Sequence, residues 1–259
     1  MVEFVNSIPS FLLILVRITG FFATVPIFSY KNIPTIHKLG LSLILSFFVI
    51  VMIPDPTIEI DGYYLFYIIK ELLVGLSIGF IASILLYALQ VAGGFIDLQM
   101  GFAMANVFDP QTGIQSPLIG RYLYILAILF LLSIDAHHML LNGIFQSYQL
   151  VPIDGWQMTF LIQGDVAHLV VETISRMFYI AFQIAMPVVG CLFLVDLALG
   201  IISRTVPQVN VFIIGLPLKI AVSLFVLLLT ISIIFQVVEG LYVDMLSVMK
   251  KMMNLIGGP

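Results

Sequence analysis

Long apolar runs recur along this chain, and most approach the roughly 20 residues that a helix needs to cross a bilayer. They occupy residues 8–30, 39–53, 62–92, 118–134, 139–150, 167–204 and 220–238. Of the 259 residues, 61% are hydrophobic and only 9% are charged, against about 25% charged residues in soluble domains. Too little polar surface remains to cover a water-soluble fold. The sequence therefore predicts an all-α, polytopic membrane protein built from helical hairpins.

The segments between these runs carry further predictions. Residues 93–117 contain Gly, Gln and Pro, so a helix break is predicted there. The two short runs that follow this segment are predicted to form a hairpin that does not fully span. Residues 151–165 are expected to be a polar loop. Pro187 together with Gly190 is predicted to kink its run, which is too long for one straight span.

Orientation follows from the Lys and Arg residues in short loops, because such residues accumulate on the cytoplasmic side. Two loops are placed in the cytoplasm by their basic residues, which are Lys31, Lys38, Arg204 and Lys219. The acidic segment at 55–61 has no basic residue and is expected outside. Lysines at 250 and 251 argue against an external C-terminus, so the orientation of that end stays open.

Six ionisable residues interrupt the apolar runs: Arg17, Lys70, Glu71, Glu172, Arg176 and Asp196. A charge at mid-bilayer costs about 2.5–3.5 kcal/mol on insertion scales, so each should face protein or water rather than lipid. Two interpretations stay open. The charges either hold helices together at buried polar interfaces, or they line a conduction path.

Small residues follow two of these charges at helical spacing. Glu71 is followed at steps of four by Gly75, Gly79 and Ser83, and Arg17 begins a shorter stripe with glycine and threonine at positions 20 and 24. Residues four apart share one helix face, and small side chains allow a neighbouring helix to approach closely. Glu172 and Arg176 are also four apart, in the order that favours an intrahelical ion pair.

Three patterns resemble chemical sites but have simpler explanations. The G-x-S-x-G match at 75–79 lies inside an apolar helical run, not in the strand–turn–helix context of a hydrolase. Asp135, His137 and His138 could be metal ligands, but adjacent histidines on a helix should diverge, so loop capping is favoured. Cys191 is expected to be a packing residue. We therefore expect no enzyme, no cofactor, no metal and no nucleic-acid partner.

Two segments differ from ordinary membrane loops. Residues 93–110 combine glycines with Met and Phe, and irregular backbone at membrane depth is tolerated only where protein buries it or a cavity hydrates it. This segment either seals a lumen by hydrophobic closure or packs statically between helices. Residues 203–219 combine two prolines, a glycine and amide side chains, which predicts a tight turn between long helices.

Both segments resemble the FliR/SctT family of type III secretion export-gate proteins. The most specific match is S-R-x-x-P-Q-x-N-V-F-x-x-G-x-P-x-K at 203–219, and A-G-x-x-I-D-x-Q-M-G at 92–101 supports it. The Lys70-Glu71 and Asp109-Pro110 pairs and the R-I-T-G sequence at 17–20 match as well. The signature turn of this resemblance contains Arg204, Pro207, Gln208, Asn210, Gly215, Pro217 and Lys219.

The resemblance implies a gating subunit of the flagellar export channel, in the inner (cytoplasmic) membrane at the basal body. It implies a FliP-like part at about 1–165 and a FliQ-like hairpin at about 166–259. The implied partners are FliP, FliQ, FlhB and FlhA, the basal-body ring and unfolded flagellar export substrates. The implied channel plug is Phe102, Met104, Val107 and Phe108. Much of such an assembly lies above the bilayer, so not every apolar run need be a span.

Two alternative functions are kept. A virulence-type export gate would share the same motifs. An ion-coupled secondary transporter would use Glu71, Arg17 and Asp196, and it would function alone or as a homodimer, usually with internal repeats, of which none is convincing here.

Overall fold

The structure is a computed structural model that describes residues 7–29, 33–52, 58, 60–102, 117–154, 164–206, 208 and 210–257. Over these residues, all regular secondary structure is helical. The described residues form seven helices: α1 Ile8–Thr24, α2 Thr35–Met52, α3 Tyr64–Met100, α4 Leu118–Ser133, α5 Ala136–Leu150, α6 Asp165–Thr205 and α7 Val211–Gly257. The predicted all-α fold is confirmed.

Four of these helices are long and apolar enough to cross a membrane: α2, α3, α6 and α7. The number rises to five if α4 and α5 together form one span. This confirms the prediction of a polytopic membrane protein. The count is smaller than the number of apolar runs, because α1 is shorter and α4 and α5 each fall short of a span on their own.

The long helices differ in how much protein covers them. In α3, 67% of the most apolar window is buried, whereas the corresponding figures are 17% for α2 and for α7. Helix α3 has no single apolar face and is covered mainly by protein, as expected of a buried helix. Helices α2 and α7 instead expose rows of large apolar side chains such as Phe48, Val51, Leu228 and Leu229.

The chain divides into two compact units. Unit 1 comprises Met1–Leu85, Leu132–Ile174 and Tyr242–Pro259. Within it, α1 lies against the first part of α3, and the α1 residues Leu13, Ile14, Ile18 and Phe21 are fully buried. The end of α7 lies beside α5, where a side chain on Gly143 would meet the methyl group of Met249.

Unit 2 comprises Leu86–Leu131 and Ser175–Leu241. It contains the end of α3, most of α4, and the parts of α6 and α7 that flank the signature turn. Within it, the rings of Tyr87 and Tyr124 stack at 6.3 Å, and those of Phe130 and Phe235 lie 5.0 Å apart. The predicted division into FliP-like and FliQ-like parts concerns likeness to other proteins, and it stays a prediction.

The helix break predicted to begin at Gly93 is wrong by eight residues, because α3 continues to Met100. A side chain at Gly93 would lie 2.7 Å from the carbonyl carbon of Ile119 and closer still to the backbone of Gly120. This glycine therefore allows close contact between α3 and α4 and does not end the helix.

Helix α3 ends instead directly before Gly101, whose φ of 90° is unfavourable for any residue with a side chain. The Phe102 N–H donates to the Asp97 carbonyl at 3.0 Å. A positive-φ glycine followed by a bond that reaches back five residues is a Schellman-type helix end.

The prolines of the long helices lie inside them. Pro187 lies within α6, and Pro217 lies in the second turn of α7. Helix α1 ends at Thr24, two residues before Pro26, since proline disfavours helical backbone in the residue that precedes it. The predicted polar loop at 151–165 falls largely outside the described residues.

Candidate functional site

A fully buried ion pair lies in unit 1 between α1 and α3. The Arg17 guanidinium donates to both carboxylate oxygens of Glu71, through Nε to Oε2 and through Nη2 to Oε1, the latter at 2.9 Å. Both side chains have no exposed surface. This fork-to-carboxylate geometry is the strongest form of a protein ion pair.

Helix α5 supplies the remaining partners of Arg17. Nη1 donates to the Ser147 carbonyl at 3.0 Å and lies 3.1 Å from its hydroxyl oxygen, and Nη2 donates to the Val151 carbonyl at 2.8 Å. The guanidinium carbon also lies 4.2 Å above the ring of Tyr148. Every nitrogen of Arg17 is therefore bonded, although the side chain has no contact with water.

Lys70 lies beside this ion pair, and we call Arg17, Lys70 and Glu71 the charge cluster. Its Nζ lies 3.3 Å from Glu71 Oε1 and donates to the carbonyls of Pro152 at 2.6 Å and Ile153 at 3.0 Å. The cluster carries two positive charges and one negative charge. The C-terminal end of α5 provides the compensating partial charge, because helix ends expose carbonyls and the negative pole of the dipole.

The small residues predicted to allow close helix approach do so at this point. A side chain at Gly75 would lie 2.9 Å from the carbonyl carbon of Arg17, and one at Gly79 would lie 2.8 Å from the Phe21 oxygen. Across the contact, a side chain at Gly20 would lie 3.0 Å from the Leu72 oxygen. Thr24 donates to the Leu76 carbonyl at 3.2 Å. The neighbouring helix is therefore the chain's own α1.

A second polar arrangement lies in unit 2, on both sides of the segment at 103–116. We call it the loop base, meaning Asp97 and Gln99 on α3, Gly101 directly after it, and Ile119 and Gly120 on α4. The Asp97 carboxylate accepts the backbone N–H of Ile119 at 3.1 Å. This N–H belongs to the first turn of α4, which has no helical partner for it. One carboxylate thus joins the two ends of the segment.

The loop base is also tied to the hairpin of α6 and α7. The Gln99 side-chain amide donates to Asp196 at 2.9 Å, and Lys219 forms an ion pair with the same carboxylate. Lys219 also lies 3.5 Å from the Gln99 carbonyl oxygen. The two segments singled out in the sequence, 93–110 and 203–219, therefore share one polar contact.

The other residues of the signature turn are mostly exposed in this chain. Arg204, Gln208, Asn210 and Pro217 lie at the surface, and Gly215 is buried, where a side chain would come within 3.0 Å of Leu199. Pro207 lies outside the described residues. Of the proposed plug residues, Phe102 is half-buried, and Met104, Val107 and Phe108 also lie outside the described residues.

The last two charges of the apolar runs are solvent-exposed within the single chain. Glu172 and Arg176 lie on the surface of α6, and Glu172 is 3.7 Å from Lys251 of α7. Sequence reasoning missed Asp97, Gln99, Ser147 and Tyr148 as site residues. Asp97 could have been recognised from the sequence as a site residue, since an acid at the end of an apolar run needs a buried hydrogen-bond donor. The partners on α5 carried none, because they are separated from Arg17 by 130 residues or more.

The expected divergence of the two adjacent histidines is wrong. One donor atom from each of Asp135, His137 and His138 lies within 4.8 Å of the others, and the imidazole rings are 4.2 Å apart. Asp135 stands at the N-cap of α5, yet its side chain makes no capping hydrogen bond, contrary to the capping role expected for it. Asp135 directly precedes α5, and the two histidines lie in its first turn.

Comparison with known proteins identifies the family. Residues 8–245 match the family described as "Bacterial export proteins, family 1". The chain is 47% identical over 256 residues to the flagellar biosynthetic protein FliR of Bacillus subtilis (strain 168), with 98% of each chain covered. It is 25% identical over 236 residues to FliR of Escherichia coli (strain K12), covering 91% of this chain and 89% of that one.

A translocation protein of another bacterium is also similar. The chain is 30% identical over 217 residues to the Yop proteins translocation protein T of Yersinia pestis, covering 83% of this chain and 82% of that one. These findings confirm the resemblance to the FliR/SctT family that the motifs predicted. The chain therefore belongs to family 1 of the bacterial export proteins.

Proposed function

We propose that this chain is a structural and gating subunit of the flagellar type III protein export channel in the cytoplasmic membrane. The observation that carries the proposal is its near full-length likeness to FliR of Bacillus subtilis, at 47% identity over 98% of both chains. The lower likeness to the Yop translocation protein, at 30% over 83% of this chain, favours the flagellar system over a virulence system. Four or five apolar spans agree with a membrane location.

The exposed apolar faces support a role inside an assembly. Val51 on α2 is 73% exposed, and Leu228 on α7 is 71% exposed. Contiguous apolar surface of this kind must be covered by lipid or by another protein. In our proposal, FliP- and FliQ-type chains cover part of it, FlhB- and FlhA-type chains lie on the cytoplasmic side, and the basal-body ring surrounds the complex.

The division of the chain follows from the same proposal. Residues 1–165 would occupy a FliP-like position and residues 166–259 a FliQ-like position, so that the chain closes a ring of related subunits. Unfolded flagellar subunits would pass through the channel that the ring encloses.

The gate would be the segment that starts at Phe102. Wetting a narrow apolar constriction is unfavourable, so Met and Phe side chains can stop water and ions while a passing unfolded chain displaces them. Phe102, Met104, Val107 and Phe108 would form this plug. The loop base supports the idea, because the Asp97 bond to Ile119 holds both ends of the segment on packed helices.

The charge cluster favours a structural role over an ion-coupled transporter. All three nitrogens of Arg17 and both carboxylate oxygens of Glu71 have partners within the fold. A transported ion needs a site that exchanges ligands with water, whereas these groups are fully buried and bonded to one another. The cluster therefore serves to hold α1, α3 and α5 together.

Isolation of the complex tests the proposal. The chain, carrying a short affinity tag, is expressed at native level in its own host and extracted in mild detergent. We expect FliP- and FliQ-like chains to co-purify. A strain lacking the chain should secrete no flagellin and lose motility, and the chain supplied from a plasmid should restore both.

The control is an unrelated polytopic protein with the same tag, which should bring down neither chain. Two results contradict the proposal. One is isolation of the tagged chain alone or as a homodimer, as expected of a transporter. The other is normal flagellin secretion in the deletion strain.

A further inference from the structure

The short break between α4 and α5 groups three metal-ligating side chains in unit 1. Asp135, His137 and His138 each offer one donor atom, and these atoms all lie within 4.8 Å of one another. The backbone turns sharply here, because Asp135 adopts a left-handed conformation with φ 56° and ψ 19°. This turn brings the carboxylate to the same side as the first two histidines of the helix.

Within the part of the chain that the structure describes, these three side chains make few interactions outside their own group. The Asp135 carboxylate makes no capping hydrogen bond and lies 3.9 Å from Nδ1 of His138, with both side chains largely exposed. The Nδ1 atom of His137 is buried and has no hydrogen-bond partner among the described residues. A buried polar atom without a partner is costly, and it points to a ligand or proton acceptor that the described residues do not supply.

The distances fit a metal after a small adjustment. Zinc bonds of about 2.0–2.1 Å in tetrahedral geometry place neighbouring donor atoms about 3.4 Å apart. The three donors must therefore close by no more than about 1.5 Å. The exposed side chains of Asp135 and His138 can do this by rotation about their own bonds, while the partly buried His137 stays in place.

We propose that Asp135, His137 and His138 bind a divalent transition-metal ion of the Zn²⁺ class, with a fourth position open to water or to a partner chain. Two imidazoles and one carboxylate suit zinc and its neighbours, and do not suit Ca²⁺ or Mg²⁺, which prefer sites made of oxygen alone. The positive pole at the start of α5 opposes a cation, and the carboxylate offsets this effect. With only three protein ligands, binding is expected to be weaker than at a closed four-ligand zinc site.

Cobalt absorption provides the test on the full chain, purified in mild detergent with a tag that contains no histidine. Four-coordinate Co²⁺ absorbs visible light, so titration with Co²⁺ should produce a saturable band that Zn²⁺ abolishes. Zn²⁺ should also raise the unfolding temperature, because a ligand that binds only the folded state stabilises it. Replacing both histidines, as His137→Asn with His138→Asn, should abolish the band.

A matched control lies elsewhere in the same unit. His168 lies beside Asp165 and Glu172 on the surface, so His168→Asn removes a histidine from another acidic site. It should leave the cobalt titration unchanged. Asp135→Asn should weaken binding by roughly tenfold or more, and it also decides the question if the double variant does not fold.

Three results overturn the proposal. The first is the absence of both the cobalt band and the zinc-induced thermal shift in the parent chain. The second is an unchanged titration midpoint in the folded double variant or in Asp135→Asn. The third is loss of the band in His168→Asn, which would place the metal at the other site. None of these outcomes depends on the export function.

Discussion

Replacing Gly75 with alanine adds one methyl group where the backbones of α1 and α3 nearly touch. The new carbon would lie 2.9 Å from the Arg17 carbonyl carbon and closer still to its oxygen, whereas unstrained carbon contacts are about 3.5–4.0 Å. The group that it meets is backbone, which cannot rotate away as a side chain can. Helix α1 must therefore shift, and Arg17 with it.

The expected cost follows from two opposing effects. Overpacking costs about 1–3 kcal/mol, and the rigid neighbour places this site at the upper end. Alanine in a helix is more favourable than glycine by about 1 kcal/mol, so the net loss is about 2 kcal/mol. Gly190 on α6 is a matched control, because a side chain there meets nothing within 4 Å. Gly190→Ala should gain about 0.5–1 kcal/mol.

Thermal unfolding of the two variants, followed by far-ultraviolet circular dichroism in one detergent, measures the difference. A gap of about 3 kcal/mol corresponds to roughly 6–12 °C at 2–4 °C per kcal/mol. We expect Gly75→Ala to unfold below the parent and Gly190→Ala at or above it. If Gly75→Ala unfolds at or above the parent temperature, the helices are not in close contact at this point and the reasoning is refuted.

Three further changes test other parts of the chain. Glu71→Ala should destabilise the fold by about 3–5 kcal/mol, because it leaves two buried cations uncompensated. In the same melting assay, the control Glu172→Ala, at an exposed position, should change stability by less than about 0.5 kcal/mol. A cysteine at Gln208, in a variant without Cys191, should react with a membrane-impermeant thiol reagent only from the cytoplasmic face; labelling from outside intact cells would reverse the orientation. Replacing Met104 and Phe108 together with glycine should leave assembly intact but raise proton leak through the resting gate. Assembled variants that export normally without leaking would show that the loop is static packing.

The fold class could be predicted from the sequence because lipid imposes a strong constraint. A chain with so few charges has to satisfy its backbone internally, and helices do so within one segment. Helix boundaries were harder to predict. Glycine at position 93 looks like a breaker, and only the approach of Gly120, 27 residues later, shows that it serves helix contact instead.

The burial of the charge cluster could be predicted from the sequence, but its contacts could not. Arg17 and Glu71 were recognisable as buried polar residues, because a lone charge in an apolar run must face protein. Their pairing with each other was not predicted, and neither were the carbonyls at the end of α5. Backbone groups carry no sequence signal, so a binding site made from carbonyls becomes visible only when the helices are placed.

The histidine cluster shows a different limit. Adjacent side chains diverge by about 100° on a regular helix, which argued against a site. The left-handed Asp135 is what brings the third ligand within reach, and a single backbone dihedral angle of this kind is not encoded in composition or periodicity.

The long sequence separation within the charge cluster has a consequence for biosynthesis. Arg17 emerges from the ribosome 54 residues before Glu71 and 134 residues before Val151, both of which it needs when buried. At about 5–20 residues per second, the last of these partners follows after roughly 7–27 seconds of synthesis. We expect the first helix to wait during this time near the insertion machinery or the lipid headgroups, where its guanidinium keeps water. Stable insertion of the N-terminus would then be a late event, completed only when more than half of the chain has been translated.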